Sequence, residues 1–126
     1  MSPPYQAETR VLLAKAAMGS FVPARKSFEA VENSEREVIV LPIAQLKPPL
    51  RDPGTPNFDE KRALSLLEAF RTAAPLPPIM VEVPKQSIAP YVYRVWDGFH
   101  RFHLSVSVGF THIPAIVEPY TNINDL

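Results

Sequence analysis

The chain of 126 residues contains no cysteine. Disulfide bonds, thiolate metal sites and catalysis by a cysteine nucleophile are therefore excluded. Charge of one sign is not in excess either, since 13 lysine and arginine residues balance 13 aspartate and glutamate residues. A protein without net charge has no overall field that attracts DNA or an anionic membrane, although a local basic patch is compatible with this composition.

Long apolar segments are also missing. No apolar run approaches the ~20 residues that a transmembrane helix needs. The N-terminal segment MSPPYQAETR lacks the basic start and apolar core of a signal peptide. We therefore expect a cytoplasmic protein that does not bind a membrane. The length fits one domain, and 46% hydrophobic residues are enough to bury a core.

The N-terminal part predicts a helix followed by an arm. Residues 7–18 carry a partial apolar stripe, which Gly19 can end. Residues 19–36 are polar and irregular and include a mixed-charge run, which indicates a mobile arm. The alternative is that this region binds a protein partner or forms a homodimer. We therefore divide the chain into an N-terminal helix and arm, 1–37, and a compact domain, 38–126.

The compact part alternates between strand and helix patterns. Asn57 is the predicted N-cap of a first helix, with Glu60 as its capping-box partner and Pro75 at its end. A Pro-rich loop precedes this helix, and Gly109 ends a second one. The predicted strands are 38–41, 79–83, 91–96 and 112–117, and the second helix is 99–108. This order indicates a small mixed α/β domain.

The segment WDGFHRFH, residues 96–103, lies where a strand passes into a helix. The N–H groups in the first turn of a helix lack internal partners, and the helix dipole makes that end positive. Gly98 lets the backbone approach a ligand, while His100 and Arg101 can add side-chain donors. We therefore predict that this turn binds an anion, and a nucleotide phosphate is the anion we expect.

Two interpretations of Asp97 stay open. Its carboxylate can cap the helix that follows. Alternatively it can hold a divalent cation such as Mg²⁺ between phosphates, or accept a proton from a substrate hydroxyl. His100 and His103 share one helix face, but no third ligand is evident, so we expect no metal site made by histidines.

The remaining side chains of the segment have structural interpretations. We expect His103 and His112 to form hydrogen bonds that hold the structure together. We expect the aromatic side chains of the segment to pack mainly in the core; these are Trp96, Phe99 and Phe102.

Three segments in order carry a family resemblance. LPIAQLKPP, PLPPIMVEV and YRVWDGFHRFHLSVSVGFTHIPAIV resemble the ParB/sulfiredoxin-like superfamily over about residues 38–118. Members share a helix that starts with Gly-x-x-Arg, here Gly98 to Arg101, and a G-x-x-x-I-P-A-x-V strand, here from Gly109 to Val117. The resemblance implies a small ParB/sulfiredoxin-like domain in which helices pack on a mixed sheet.

The resemblance also implies a phosphate cradle. It would consist of Gly98, the backbone N–H of Phe99, and the side chains of His100 and Arg101. Lys47 stands where relatives bring a second polar or basic contact, although it can equally be an ordinary solvated lysine.

Members of the superfamily differ in activity. Sulfiredoxins carry a cysteine at the position of Phe99, so this chain cannot reduce a sulfinic acid by their chemistry. ParB proteins bind CTP at a Gly-Glu-Arg-Arg version of the motif. Free-serine kinases carry Asp-Gly-His-His-Arg, which Asp97–Arg101 resembles with one difference. Some ParB-like members are described as nucleases, but no acidic metal-binding cluster supports that activity here.

Three hypotheses follow. The first is a nucleotide-binding domain that uses Mg²⁺ with ATP or CTP and acts as an ATPase or phosphotransferase, with Asp97 or Asp52 positioning the attacking oxygen. Asp52 is alternatively a turn residue before Pro53. The second is a non-enzymatic module that binds a protein partner. The third is a ParB-like DNA-binding or nuclease protein, which the zero net charge disfavours.

Overall fold

Five strands of the computed structural model form one mixed sheet, and the structure describes residues 4–33 and 35–120. The helices are α1 (Gln6–Lys15), α2 (Glu60–Thr72) and α3 (Phe99–Val108). The strands are β1 (Ile39–Pro42), β2 (Leu46–Lys47), β3 (Ile79–Glu82), β4 (Tyr93–Asp97) and β5 (His112–Val117). A 3₁₀ turn at Ile43–Gln45 connects β1 to β2.

The sheet has the order β1-β5-β3-β4-β2. The pairs β1–β5 and β3–β4 are antiparallel, whereas β5–β3 and β4–β2 are parallel. The three helices contact one another. This architecture confirms the predicted mixed α/β fold, in which helices pack against a mixed sheet.

Helix α3 lies at the centre of the packing. Eight of its ten residues are buried, including Phe102 and Leu104. Helix α2 instead buries one stripe, Ala63, Leu67 and Phe70, at the spacing of a helix that packs with one face on the core. Because α3 is enclosed, the polar residues of its first turn are held in defined positions.

The predicted elements of the compact domain are largely confirmed. Helix α3 and strand β5 have the predicted bounds, and β1, β3 and β4 agree within two residues at each end. Strand β2 was not predicted, because it is only two residues long and lies inside a Pro-rich segment taken for a loop. It pairs in parallel with Tyr93 and Arg94 of β4.

The predicted N-cap of α2 is wrong. Helix α2 begins two residues later than expected, and the carboxylate of Asp59 accepts a hydrogen bond from the N–H of Arg62. Asn57 lies outside the helix, where its side-chain amide donates to Glu8 on α1 over 2.7 Å. Asp59 has the acceptor and the extended backbone that an N-cap requires, so it takes that place.

The N-terminal part packs on the compact domain. Helix α1 ends at Lys15, earlier than predicted. In the segment expected to be a mobile arm, Phe28 is buried and stacks on Phe70 with ring centroids 5.6 Å apart. The main-chain N–H of Val31 donates to the carbonyl oxygen of Leu76, and the N–H of Leu76 donates to the main-chain carbonyl oxygen of Glu29. These contacts attach the arm to the domain.

The division of the chain into 1–37 and 38–126 stays a prediction. Parts of both predicted regions lie outside the described residues, namely 1–3, 34 and 121–126. Within the described part of the chain, no helix is both long and apolar enough to cross a membrane.

Candidate functional site

A cavity of about 510 Å³ lies beside the passage from β4 into α3. Its volume is within the range of ~300–1,000 Å³ that is usual for small-molecule sites. The walls come from β2, the loop that follows it, the first turn of α2 and the strand–helix junction. Its charged lining residues are Lys47, Arg51, Arg62, Arg94 and Asp97.

Gly98 makes the sharp junction possible. Its φ is +121°, and a Cβ built there would lie 2.5 Å from Cγ2 of Ile79 on β3. Only glycine fits this backbone conformation and this close approach without strain. The carbonyl oxygen of Gly98 accepts from the N–H of Phe102, so Gly98 itself is the N-cap residue of α3. The positive end of α3 therefore begins at the cavity wall.

The interpretation of Asp97 as an N-cap is wrong. No side chain caps α3, and the carboxylate of Asp97 lies 3.5 Å from Nη2 of Arg101. The Asp97 side chain is 58% exposed and lines the cavity. The carboxylate is therefore accessible to a cation or to a reacting group, as the alternative interpretation requires.

Arg101 is buried below the junction. Its Nη1 donates to the carbonyl oxygens of Pro77 and Pro78 over 2.7 and 2.9 Å. These carbonyls belong to the segment that enters β3, so Arg101 links α3 to the neighbouring strand. The side chain lines a second groove, of about 420 Å³, which shares Arg62 and Asp97 with the cavity. In this geometry Arg101 holds the walls of the site in place, because its guanidinium donates to carbonyl oxygens of the protein.

His100 is a buried hydrogen-bond acceptor. Its Nε2 accepts from the main-chain N–H of Asp59 over 3.0 Å and thereby joins α3 to the start of α2. Burial lowers the pKa of His100 to about 4, and the positive charges of Arg62 and Arg51 contribute to this effect. His100 is therefore neutral at pH 7 and adds no positive charge to the cavity, although it lines the wall.

Four basic side chains give the cavity its charge. Lys47 was predicted, but Arg51, Arg62 and Arg94 were missed by sequence reasoning. The guanidinium of Arg51 lies 4.3 Å from the ring centroid of Phe99. Arg94 donates to Oε1 of Glu82 over 3.0 and 3.2 Å, which offsets part of its charge. No local motif identifies these arginines, because the fold brings them together from the loop, α2 and β4.

Asp52 is not brought to this site. Its carbonyl oxygen accepts from the N–H of Thr55 over 3.1 Å in an exposed turn. It is not among the residues that line the cavity. Asp97 and Asp52 are therefore not combined in one catalytic pair in this structure.

The remaining residues of the motif hold the walls together. Phe99 and Phe102 are buried, as predicted, and Phe99 also contributes to the cavity lining. Trp96 is half-buried, lines the cavity, and donates from its indole N–H to the carbonyl oxygen of Glu118 over 2.9 Å. His103 lies behind this wall and donates from Nε2 to the carbonyl oxygen of Pro49 over 2.7 Å.

The third histidine lies apart from the cavity. Nδ1 of His112 is 2.8 Å from the hydroxyl of the adjacent Thr111. Both histidines therefore form hydrogen bonds, but only that of His103 joins distant parts of the chain, whereas that of His112 is local and exposed. In residues 4–33 and 35–120, no group of three or more metal-ligating side chains is placed to hold a metal ion.

Comparison with known proteins agrees with this fold. The chain is similar to the C-terminally truncated chromosome-partitioning protein ParB from Caulobacter crescentus, whose structure is complexed with CTP-γ-S. The two share 22% sequence identity with a TM-score of 0.51, and the match covers 69% of this chain. It covers 47% of the ParB chain, so this sequence spans about half of that truncated chain. Curated proteins gave no match.

The family model of the ParB N-terminal domain matches residues 27–126. That range includes all five strands, α2, α3 and every charged residue that lines the cavity. It also includes much of the segment that sequence analysis assigned to the arm. The chain therefore belongs to the ParB N-terminal domain family.

Proposed function

We propose that this domain binds the phosphate groups of a nucleoside triphosphate in the cavity at the β4–α3 junction. The observation that carries the proposal is the lining itself, in which four basic side chains and one carboxylate meet at the N-terminus of a buried helix. A helix N-terminus supplies N–H donors and a positive dipole end, and arginine adds paired donors to phosphate oxygens.

The arginines differ in how much positive charge they present to a ligand in the cavity. Arg51 and Arg62 both lower the pKa of His100, which supports a positive potential where the α3 turn faces the cavity. Both side chains are also exposed at the cavity and accessible to a ligand. Arg94 shares its charge with Glu82. We therefore assign the main phosphate contacts to Arg51, Arg62 and the backbone N–H of Phe99, with Lys47 as a further contact.

Gly98, His100 and Arg101 then have supporting roles. Gly98 brings the turn against β3, His100 fixes the start of α2, and Arg101 fixes the segment before β3. This assignment keeps all three in the site that the sequence predicted. The resemblance implied that His100 and Arg101 contact phosphate directly. In this assignment they instead position the groups that make the contact.

CTP is the first nucleotide to test. The support is the similar ParB structure, which contains CTP-γ-S. ATP is the second, because the Asp-Gly-x-His-Arg turn also resembles that of free-serine kinases. Mg²⁺ fits the site, since Asp97 offers an exposed carboxylate and Mg²⁺ usually binds one or two carboxylates together with substrate phosphates. When bound, it would neutralise phosphate charge.

Isothermal titration calorimetry with CTP and ATP, each with Mg²⁺, tests binding. We expect Arg51→Ala and Arg62→Ala to weaken binding about 10- to 100-fold, the range for hydrogen bonds to charged groups. Arg71→Ala is the matched control, because Arg71 lies on α2 away from the cavity and pairs with Glu68. Absence of heat with both nucleotides at millimolar concentration would contradict the proposal, as would equal affinities of all three variants and the wild type.

Phosphoryl transfer is a second candidate function, favoured by the exposed carboxylate of Asp97 at the cavity. A carboxylate in this place can orient an attacking hydroxyl or water. Phosphate release from CTP and ATP measures this activity. We expect Asp97→Asn to abolish the release. If the wild type binds nucleotide but releases no phosphate, with or without a small-molecule alcohol as acceptor, the domain is a binding module.

A further inference from the structure

Tyr5 lies immediately before α1, outside the residues that the family model matches. Its ring is inserted among aromatic side chains from the compact domain. The ring centroids of Phe58, Phe99 and His103 lie 5.9, 5.1 and 4.8 Å from that of Tyr5, all in edge-to-face arrangements. The N-terminal segment is thus attached to the back of the cavity wall.

The hydroxyl of Tyr5 holds the backbone of a cavity residue. It accepts a hydrogen bond from the main-chain N–H of Arg51 over 3.0 Å. The side chain of Arg51 lies over Phe99, and Phe99 in turn contacts the Tyr5 ring. The main chain and the guanidinium of Arg51 are therefore both held by a pair of aromatic residues that touch each other.

The loop that carries Arg51 has few internal supports. Residues 50–56 are all exposed, and the hydrogen bond between Thr55 and Asp52 is a turn contact within the loop. Prolines at 48, 49, 53 and 56 cannot donate main-chain hydrogen bonds. An exposed loop with so few contacts takes its position from the elements that touch it.

Helix α1 contributes two further contacts beyond the loop. Glu8 accepts from the side-chain amide of Asn57, and Lys15 pairs with Glu60 in the first turn of α2. Tyr5, Glu8 and Lys15 thus contact the loop and the start of α2 at successive points. The N-terminal segment therefore contacts the passage from the Arg51 loop into α2 at Arg51, Asn57 and Glu60.

We propose that Tyr5 is a positioning residue of the phosphate site, which holds Arg51 at the cavity through its hydroxyl and ring. A segment outside the family-matched range therefore completes the site. The inference rests on the proposed function, because it concerns the affinity of the same cavity for nucleoside triphosphate.

The test measures binding of Mg²⁺ with CTP to the Tyr5→Phe variant of the 126-residue chain, which keeps the ring and removes the hydroxyl. We expect about fivefold weaker binding, which corresponds to the loss of one neutral hydrogen bond. Tyr5→Ala should weaken binding further, because Phe99 and Arg51 lose their support. Tyr91→Phe is the matched control, since Tyr91 does not line the cavity, and its affinity should equal that of the wild type.

A double-mutant cycle separates positioning from general stability. In an Arg51→Ala background, Tyr5→Phe should have no further effect on affinity, because the residue on which Tyr5 acts has been shortened. Amide hydrogen exchange gives a readout independent of nucleotide: the amide of Arg51 should exchange faster in Tyr5→Phe than in the wild type.

The outcomes distinguish the two proposals. If the wild type binds no nucleotide, the proposed function fails and this inference fails with it. If the wild type binds and Arg62→Ala weakens binding, while Tyr5→Phe binds as tightly as the wild type, only the role of Tyr5 is contradicted. An equal effect of Tyr5→Phe in the presence and absence of the Arg51 side chain also contradicts it.

Discussion

Gly98 occupies a place where the backbone and the space around it both require glycine. An alanine there would take a φ of +121° and place its Cβ 2.5 Å from Ile79. Strained backbone costs about 1–3 kcal/mol and overpacking about as much again. We therefore expect Gly98→Ala to lower the free energy of unfolding by about 2–6 kcal/mol in urea titrations.

Gly54 provides the control for this substitution. Its φ is +88°, but no atom lies within 4 Å of the place where a Cβ would be. Gly54→Ala should cost about 1 kcal/mol, from backbone strain alone. Equal losses in the two variants would show that the close approach to Ile79 does not contribute.

His100 makes stability depend on pH. In the folded state the pKa of His100 is about 4, below the ordinary value of 6.5. Between these two values the unfolded chain binds a proton at His100 and the folded chain does not. Stability is therefore complete above pH 6.5 and falls as the pH drops towards 4. At pH 5 the loss should be about 2 kcal/mol relative to pH 7.

Unfolding titrations of His100→Gln at pH 7 and pH 5 check this effect. Glutamine can accept from the N–H of Asp59 through its side-chain oxygen but does not titrate. We expect the difference between the two pH values to be smaller in His100→Gln than in the wild type. An unchanged difference in His100→Gln would contradict the burial of a neutral imidazole.

At the scale of elements, the start of α2 is set by Asp59. Its side chain satisfies the N–H of Arg62, and its own N–H is satisfied by His100. Asp59→Ala should lower the free energy of unfolding by about 1 kcal/mol, as is usual when an N-cap is lost. Thermal unfolding monitored by circular dichroism measures the change.

Asn57→Ala is the comparison for this element. It removes one hydrogen bond to Glu8 and leaves the first turn of α2 intact. The expected cost is less than about 0.5 kcal/mol, which is usual for a surface substitution. If Asn57→Ala costs more than Asp59→Ala, the N-cap lies at Asn57 after all.

At the scale of the whole molecule, basic and acidic residues are equal in number but unevenly distributed over the structure. The net charge is zero, yet the cavity is lined by four basic residues and one acidic residue. Binding of a triphosphate should therefore weaken with salt, because the Debye length falls from about 10 Å at 0.1 M to about 3 Å at 1 M. We expect about tenfold lower affinity for CTP at 1 M salt.

The same titration with cytidine controls for effects of salt on the base and sugar. Cytidine carries no phosphate, so any binding it shows should change little with salt. If the affinity for CTP is independent of salt, the basic lining does not contact the phosphates.

Local patterns predicted much of the fold. Helix α3 and β5 were predicted with their bounds because Gly109 stops the helix and because apolar residues recur at helix or strand spacing on either side. The start of α2 was misplaced because two neighbouring residues, Asn57 and Asp59, both suit an N-cap. Strand β2 was missed because its pairing with β4 is a contact between distant parts of the chain.

The sequence by itself located the strand–helix turn at Gly98, because that turn depends on residue types at adjacent positions, and the absence of cysteine excluded the chemistry of thiols. The tertiary structure alone decided which side chains face the cavity. It directs Arg101 to carbonyl oxygens, makes His100 a neutral acceptor, and brings Arg51 and Arg62 to the turn. The reason is physical. The charge state of a side chain and its access to the cavity depend on its burial and on the positions of distant elements, and the spacing of neighbouring residues in the sequence predicts neither.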